Sequence, residues 1–248
     1  MLLEILRVAE KKASGFSSPL LSLREYQMLG RKRAPNFLYD RDEIYAVARY
    51  YQERLESEGR FDEIDLTRRA LGALQEAGEE RFGYELVACD EVQDLSDVQL
   101  SLVFRLARSC RGLLLAGDTR QIINPSGFRW EEVKARFYER GVEVPEVVHP
   151  NLNFRCVGNV VRLANALLDL KQRLVGVSGS ELREEWKFSG KPPVLIQGLG
   201  EKEVLDRAGI TGAGQVFLVR SAAEADRLKK ALDTELVFTL HEAKGLEF

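Results

Sequence analysis

The sequence predicts an α/β protein whose parallel sheets are flanked by helices, with a helical region ahead of them. Three observations carry that expectation. An apolar strand, an amphipathic helix and a second apolar strand follow one another between Leu86 and Ala116, the pattern of a βαβ unit of about thirty residues. A second alternation of strand-like and helix-like segments begins after Pro145. Ahead of Tyr84 the periodicity is helical, without a strand signal.

The helical region is read over residues 1–80. MLLEILRVAEKK has the spacing of a short amphipathic helix, and Glu4 and Arg7 inside its apolar stretch argue against a secretory signal. Asp40 and Glu43 stand at capping-box spacing. Behind them Ile44, Val47, Ala48, Tyr51 and Leu55 recur at helical intervals until Gly59. The stretch Asp62 to Gly78 places Leu66, Ala70 and Leu74 on one side of a second helix.

Residues 81–150 read as part of a first α/β lobe. Leu86 to Cys89 is a short apolar run ending in acids, as in a buried parallel strand. Ser96 and Gln99 then form a capping box, with Leu95 and Leu100 at the positions of a hydrophobic staple. Leu100, Val103, Phe104 and Ala107 are the expected buried face, and Gly112 to Ala116 is the second strand. A βαβ crossover is right-handed, so both strands finish at the same sheet edge, where open α/β sheets hold ligands. Residues 151–248 read as part of a second lobe. Its expected strands are Val147-Val148 just before the join, Val194 to Gln197, Val216 to Val219 and Leu236 to Leu240. Its helices are Gly158 to Leu170 and Ala222 to Leu232, and Val175 to Lys191 is a long loop.

Composition narrows the class. Apolar residues at 45% and charged residues at 30% fit a soluble globular chain, and no apolar run approaches the ~20 residues of a membrane helix. The three cysteines, Cys89, Cys110 and Cys156, form no Cys-x-x-Cys and read as reduced thiols of a cytoplasmic protein without zinc. At a net charge of −3, any nucleic acid must meet a local groove rather than a global field. The basic cluster Arg31-Lys32-Arg33, with Arg24 nearby, reads first as a solvated loop.

Four strings carry candidate chemistry. In DEVQD, Asp90 to Asp94, adjacent carboxylates at a strand end can hold magnesium through water and take a proton from an attacking water; an acidic turn capping the next helix would look the same. In AGDTRQII, Ala116 to Ile123, Gly117 permits close backbone approach, and Gln121 can position a water and sense a phosphate oxygen. Alone, the string is an ordinary turn. In LNFRC, Leu152 to Cys156, Phe154 beside Arg155 offers a flat face for a base and a fork for a phosphate; packing plus a surface charge is the commoner meaning of such a pair. In TLHEAKGLEF, Thr239 to Phe248, a strand turns through Gly245 into a helix, and a lone histidine such as His241 is usually structural.

In sequence and in order, these strings resemble motifs II to V of the UvrD/Rep-like branch of superfamily-one helicases: the DExxQD-like acids, a GDxxQ segment, an N-Y/F-R segment and T-x-H-x-x-KGLEF. The resemblance implies RecA-like P-loop NTPase lobes and a motor that uses ATP and Mg2+ to move along single-stranded nucleic acid, DNA in the first instance. Asp90 would then coordinate the metal and Glu91 activate the hydrolytic water. Gln121 would sense the γ-phosphate, Phe154 stack on adenine, and Arg155 reach the γ-phosphate from the second lobe, facing the strand-end acids across a cleft. Thr239 and His241 would contact the single strand, with Gly245 and Glu247 near the nucleotide.

Departures from the family pattern qualify the expectation. No G-x-x-x-x-G-K-S/T occurs; the nearest string, Ser189-Gly190-Lys191-Pro192, lacks the leading glycine and the hydroxyl. Without that loop there is no backbone cradle for the phosphates. The residues also stop inside the last motif, so an internal fragment, incomplete at both ends and inactive alone, is expected. After AGDTRQII, Phe128 or Trp130 could replace the family's stacking aromatic, although Trp130 shares a helical face with Val133 and Phe137 and reads as core. The alternative to a motor is a non-catalytic helicase-like module that binds nucleic acid or protein.

Overall fold

Capped helices open the described part of the chain. The computed structural model describes residues 20–29, 40–77, 83–123, 128–175, 183–198, 203, 206 and 215–246. The expected first helix, the Arg31–Arg33 cluster and Glu247 lie outside these residues. Two compact units are formed, Met1–Glu146 and Val147–Phe248.

In the first unit, helix α1 (Leu23–Met28) begins with a reciprocal box between Ser22 and Glu25. Arg41 closes its far end, donating from Nη1 to the carbonyls of Tyr26, Gln27 and Leu29 at 2.8–2.9 Å. Helix α2 (Arg41–Ser57) is capped by Asp40 accepting from the Asp42 amide, rather than by the expected box with Glu43. The helix buries Ala48 against Leu20 and Tyr26, leaving the expected core residue Val47 exposed. Gly59 follows it at φ 64°, in the left-handed region that a glycine adopts without strain.

Helix α3 (Glu63–Ala77) buries Ile64, Thr67, Arg68 and Leu71, while Leu66, expected inside, is 51% exposed. Two apolar stripes compete on this helix. The buried one is chosen by the partner: Ile64 and Leu71 pack with Val98 of helix α4 (Asp97–Leu106). The Ser96–Gln99 capping box starts α4 as the sequence implies. This helix has a second buried side, where Leu100 and Phe104 join Val92, Phe128, Val133 and Phe137.

That second side covers strands β1 (Val87–Cys89) and β2 (Leu113–Leu115), which pair in parallel with Val87 opposite Leu113 and Cys89 opposite Leu115. Helix α5 (Trp130–Glu139) completes the cluster, with Phe137 edge-on to Phe104 at 5.1 Å. Both strands half-bury only alternate residues, and Leu114 is 62% exposed. The strand is therefore covered on one face among the described residues, not on both as its continuous apolar run implies.

The second unit repeats the strand–helix–strand plan twice. Strand β3 (Leu152–Val157), helix α6 (Gly158–Val175) and strand β4 (Glu185–Phe188) form a parallel pair. β4 lies where a loop was expected. Its signal was the alternation of Trp186 and Phe188 with Glu185 and Lys187, and Trp186 packs so close to Gly158 that a Cβ there would meet its ring at 2.3 Å. Val161 of α6 is buried, whereas Leu163, Leu167, Leu170 and Leu174 are exposed. Strand β5 (Phe217–Val219), helix α7 (Ala222–Leu232) and strand β6 (Val237–Thr239) form the other pair. Val147-Val148 and Val194 to Gln197 form no ladder, so β-propensity without a partner strand leaves them irregular.

The competition between stripes on α3 can be measured. Leu71→Ala should cost about 2–5 kcal/mol of stability in urea unfolding, while Leu66→Ala should stay within about 0.5 kcal/mol.

Candidate functional site

The ladder between β1 and β2 does not end with the strands. The Ala116 amide donates to the Cys89 carbonyl at 2.9 Å, and the Val92 amide donates to the Ala116 carbonyl at 3.0 Å. These bonds bring the turn carrying Asp90 and Glu91 beside the turn carrying Asp118 and Gln121. Asp90 is exposed, and its Oδ1 accepts from the Glu91 amide at 2.8 Å. Glu91 has φ 53°, a left-handed conformation that costs an L-residue roughly 1–2 kcal/mol. Burial, then the neighbouring Asp90 charge, pushes the Cys89 thiol up, which keeps it protonated and unreactive.

The residue that joins the two turns is Gln93, fully buried at 0% exposure. Its Nε2 donates to Glu91 Oε2, and its Oε1 accepts from the Asp118 amide at 2.9 Å. Gly117 is what makes room: a Cβ there would lie 2.5 Å from Gln93 Oε1 and 2.9 Å from Val92 Cγ2. Gln93 is not among the residues the sequence singles out, since adjacent acids carry the stronger chemical signal. Its signal was an amide at the fourth position of DEVQD, followed by the acid, leucine and serine that start a helix.

Asp118 caps the short 3-10 turn Thr119–Gln121. It accepts from the Arg120 amide at 2.9 Å, from Arg120 Nε at 3.2 Å and from Gln121 Nε2 at 3.1 Å. Burial pushes its carboxyl up, but these bonds and the Arg120 charge outweigh it and hold the group below the usual carboxylate value. Gln121 is thus exposed and held by Asp118. Phe128 and Trp130 meet edge-on at 5.2 Å within the apolar cluster, so they are core and not a stacking platform.

A magnesium site needs one or two carboxylates, water and substrate phosphates. Asp90 and Glu91 fit such a donor set, and among the described residues no group of three or more His, Cys, Asp and Glu converges as a separate metal site.

In the second unit the register of β3 against β4 breaks between Asn153 and Val157. This bulge carries Phe154, 64% exposed, and the exposed Arg155, and bulges re-aim side chains in this way. Asn153 organises it: its Oδ1 accepts from the Arg155 and Cys156 amides at 3.0 and 2.7 Å, and its Nδ2 donates to Glu184 at 2.8 Å. Thr239 is buried and caps helix α8 (Leu240–Ala243) in a reciprocal box with Glu242, whose carboxyl is lowered first by the Thr239 amide. His241 is exposed on that helix, and Gly245 turns the chain at φ 79°.

A family model described as the UvrD/REP helicase N-terminal domain matches residues 10–139, just over half of the chain and including the DEVQD and AGDTRQII segments. The chain is also similar to TPR and ankyrin repeat-containing protein 1 of Homo sapiens, at 30% identity over 244 residues that cover 90% of this chain. It spans 8% of the length of that relative.

The Asp118 turn has a defined pH response. A lowered folded-state pKa contributes stability above the ordinary carboxylate range and loses it as pH falls through the lowered value. Asp118→Ala should therefore cost about 1 kcal/mol at neutral pH. In urea titrations the difference from the parent should shrink as pH falls through the lowered Asp118 value.

Proposed function

Because this chain belongs to the UvrD/REP helicase family, we propose that it contributes part of the ATP-hydrolysing motor of a helicase or translocase acting on single-stranded DNA. The observation that supports this most is the pairing of the two strand-end turns, with Asp90 and Glu91 on one and Asp118 and Gln121 on the other, tied by the Val92–Ala116 and Asp118–Gln93 bonds. A rigid strand end holding two adjacent acids beside a polar amide is what proton abstraction from a water and response to a phosphate require.

In this reading the strand pairs are parts of RecA-like lobes. When bound, Mg2+ supplies charge neutralisation on the phosphates, with Asp90 as its protein partner. Glu91 takes the proton of the attacking water, and Gln121 registers the γ-phosphate. Phe154 stacks on the adenine ring and Arg155 offers its guanidinium to phosphate, the Asn153 bulge presenting both. His241 contacts the single strand, and Thr239 serves it by fixing the start of α8. Gly245 and Glu247 belong near the nucleotide. The cradle string G-x-x-x-x-G-K-S/T is absent from these 248 residues, which is the one fact favouring a second reading, a binding module without catalysis.

Two substitutions in the intact protein separate the readings. Glu91→Gln should leave ATP affinity within about twofold while reducing turnover by at least about a hundredfold, since only the base is lost. Residues 1–248 alone should release no phosphate above background. Phe154→Ala should weaken adenine-nucleotide binding by about 1 kcal/mol or more and leave single-strand affinity nearly unchanged. Equilibrium binding of a fluorescent ATP analogue and of labelled oligonucleotide reads both, and the opposite pattern would reassign Phe154 to the strand.

A further inference from the structure

We propose that Gln93 is a positioning residue that clamps the Glu91 carboxylate to the end of β2, coupling it to the turn that carries Gln121. The inference rests on the ATPase reading above and adds a component to it. Four observations carry it. Gln93 is wholly buried, although it is a polar side chain. Its amide has one workable orientation, with Nε2 toward the Glu91 carboxylate and Oε1 toward the Asp118 amide; the flipped amide would set oxygen against carboxylate and NH2 against N–H. Gly117 leaves the space that Oε1 occupies. Glu91 holds a left-handed backbone that an L-residue adopts only when its surroundings enforce it.

The consequence is a short relay. Gln121 Nε2 bonds the Asp118 carboxylate, the Asp118 amide bonds Gln93 Oε1, and Gln93 Nε2 bonds Glu91 Oε2. Any displacement of the Thr119–Gln121 turn when Gln121 meets a phosphate oxygen is passed through these bonds to Glu91. Without the clamp Glu91 loses its direction, and misdirection of a base lowers the rate of proton abstraction more than substrate affinity.

The test uses the intact protein. Gln93→Met keeps the side-chain length and removes both amide functions. We expect kcat to fall by about tenfold or more with KM for ATP within about twofold. Gln93→Glu, which faces Glu91 with a second carboxylate, should do no better. Gly117→Ala should act in the same direction with Gln93 intact, because its Cβ displaces Oε1. Amide hydrogen exchange in the same samples supplies a readout independent of activity. Protection at Asp118 should drop by about tenfold in Gln93→Met while Val92 and Ala116 stay protected. Loss of turnover in Glu91→Gln together with undiminished kcat in Gln93→Met would overturn the relay alone. Full turnover in Glu91→Gln would overturn both the relay and the ATPase reading. Protection lost at Val92 and Ala116 as well would show Gln93 to be a plain structural amide and overturn the positioning role.

Discussion

Two backbone hydrogen bonds that extend the β1–β2 ladder past its strands hold the candidate site together. β1 and β2 are three residues each, too short to fix the turns beyond them by strand pairing alone. The Ala116–Cys89 and Val92–Ala116 bonds continue the register into those turns, and the buried core behind them supplies the stiffness. Val92 is fully buried in the cluster with Leu100, Phe104 and Phe137, so the turn carrying Asp90 and Glu91 is anchored from within. The acids stay near solvent while the residue next to them is locked into the core.

Burying Gln93 follows from that arrangement. A carboxamide removed from water costs about 1–3 kcal/mol if left unbonded, and the close approach permitted at Gly117 gives it the Asp118 amide as a partner. The three elements depend on one another: the glycine admits the amide, the amide holds the glutamate, and Asp118 holds its own turn. The second unit solves a similar problem differently, using the Asn153 side chain to satisfy the amides that the bulge at Phe154 and Arg155 exposes.

Much of this was legible in the residues, and what was not has identifiable causes. The β1–α4–β2 unit, its Ser96–Gln99 cap and the strand-end acids follow from local pattern, because capping chemistry and a strand ending abruptly in charge are short-range signals. The buried face of α3 is not legible locally, because Leu66 and Leu71 belong to rival stripes and only the presence of Val98 decides between them. β4 is only four residues, Glu185–Phe188, so its alternation is too short to stand out from a loop. Gln93 accepts from the Asp118 amide 25 residues away, and Asn153 donates to the Glu184 side chain 31 residues away, distances no local pattern spans.

We propose that the acids at the end of β1 serve nucleotide hydrolysis that single-stranded nucleic acid stimulates. Its most direct measurement is phosphate release from ATP by the intact protein, with and without single-stranded DNA, in the presence and absence of Mg2+. Mg2+-dependent release that single-stranded DNA stimulates by about tenfold or more is expected, within the turnover range of ordinary enzymes. Release that stays at background under every condition, with the strand bound all the same, would contradict it and leave a binding module.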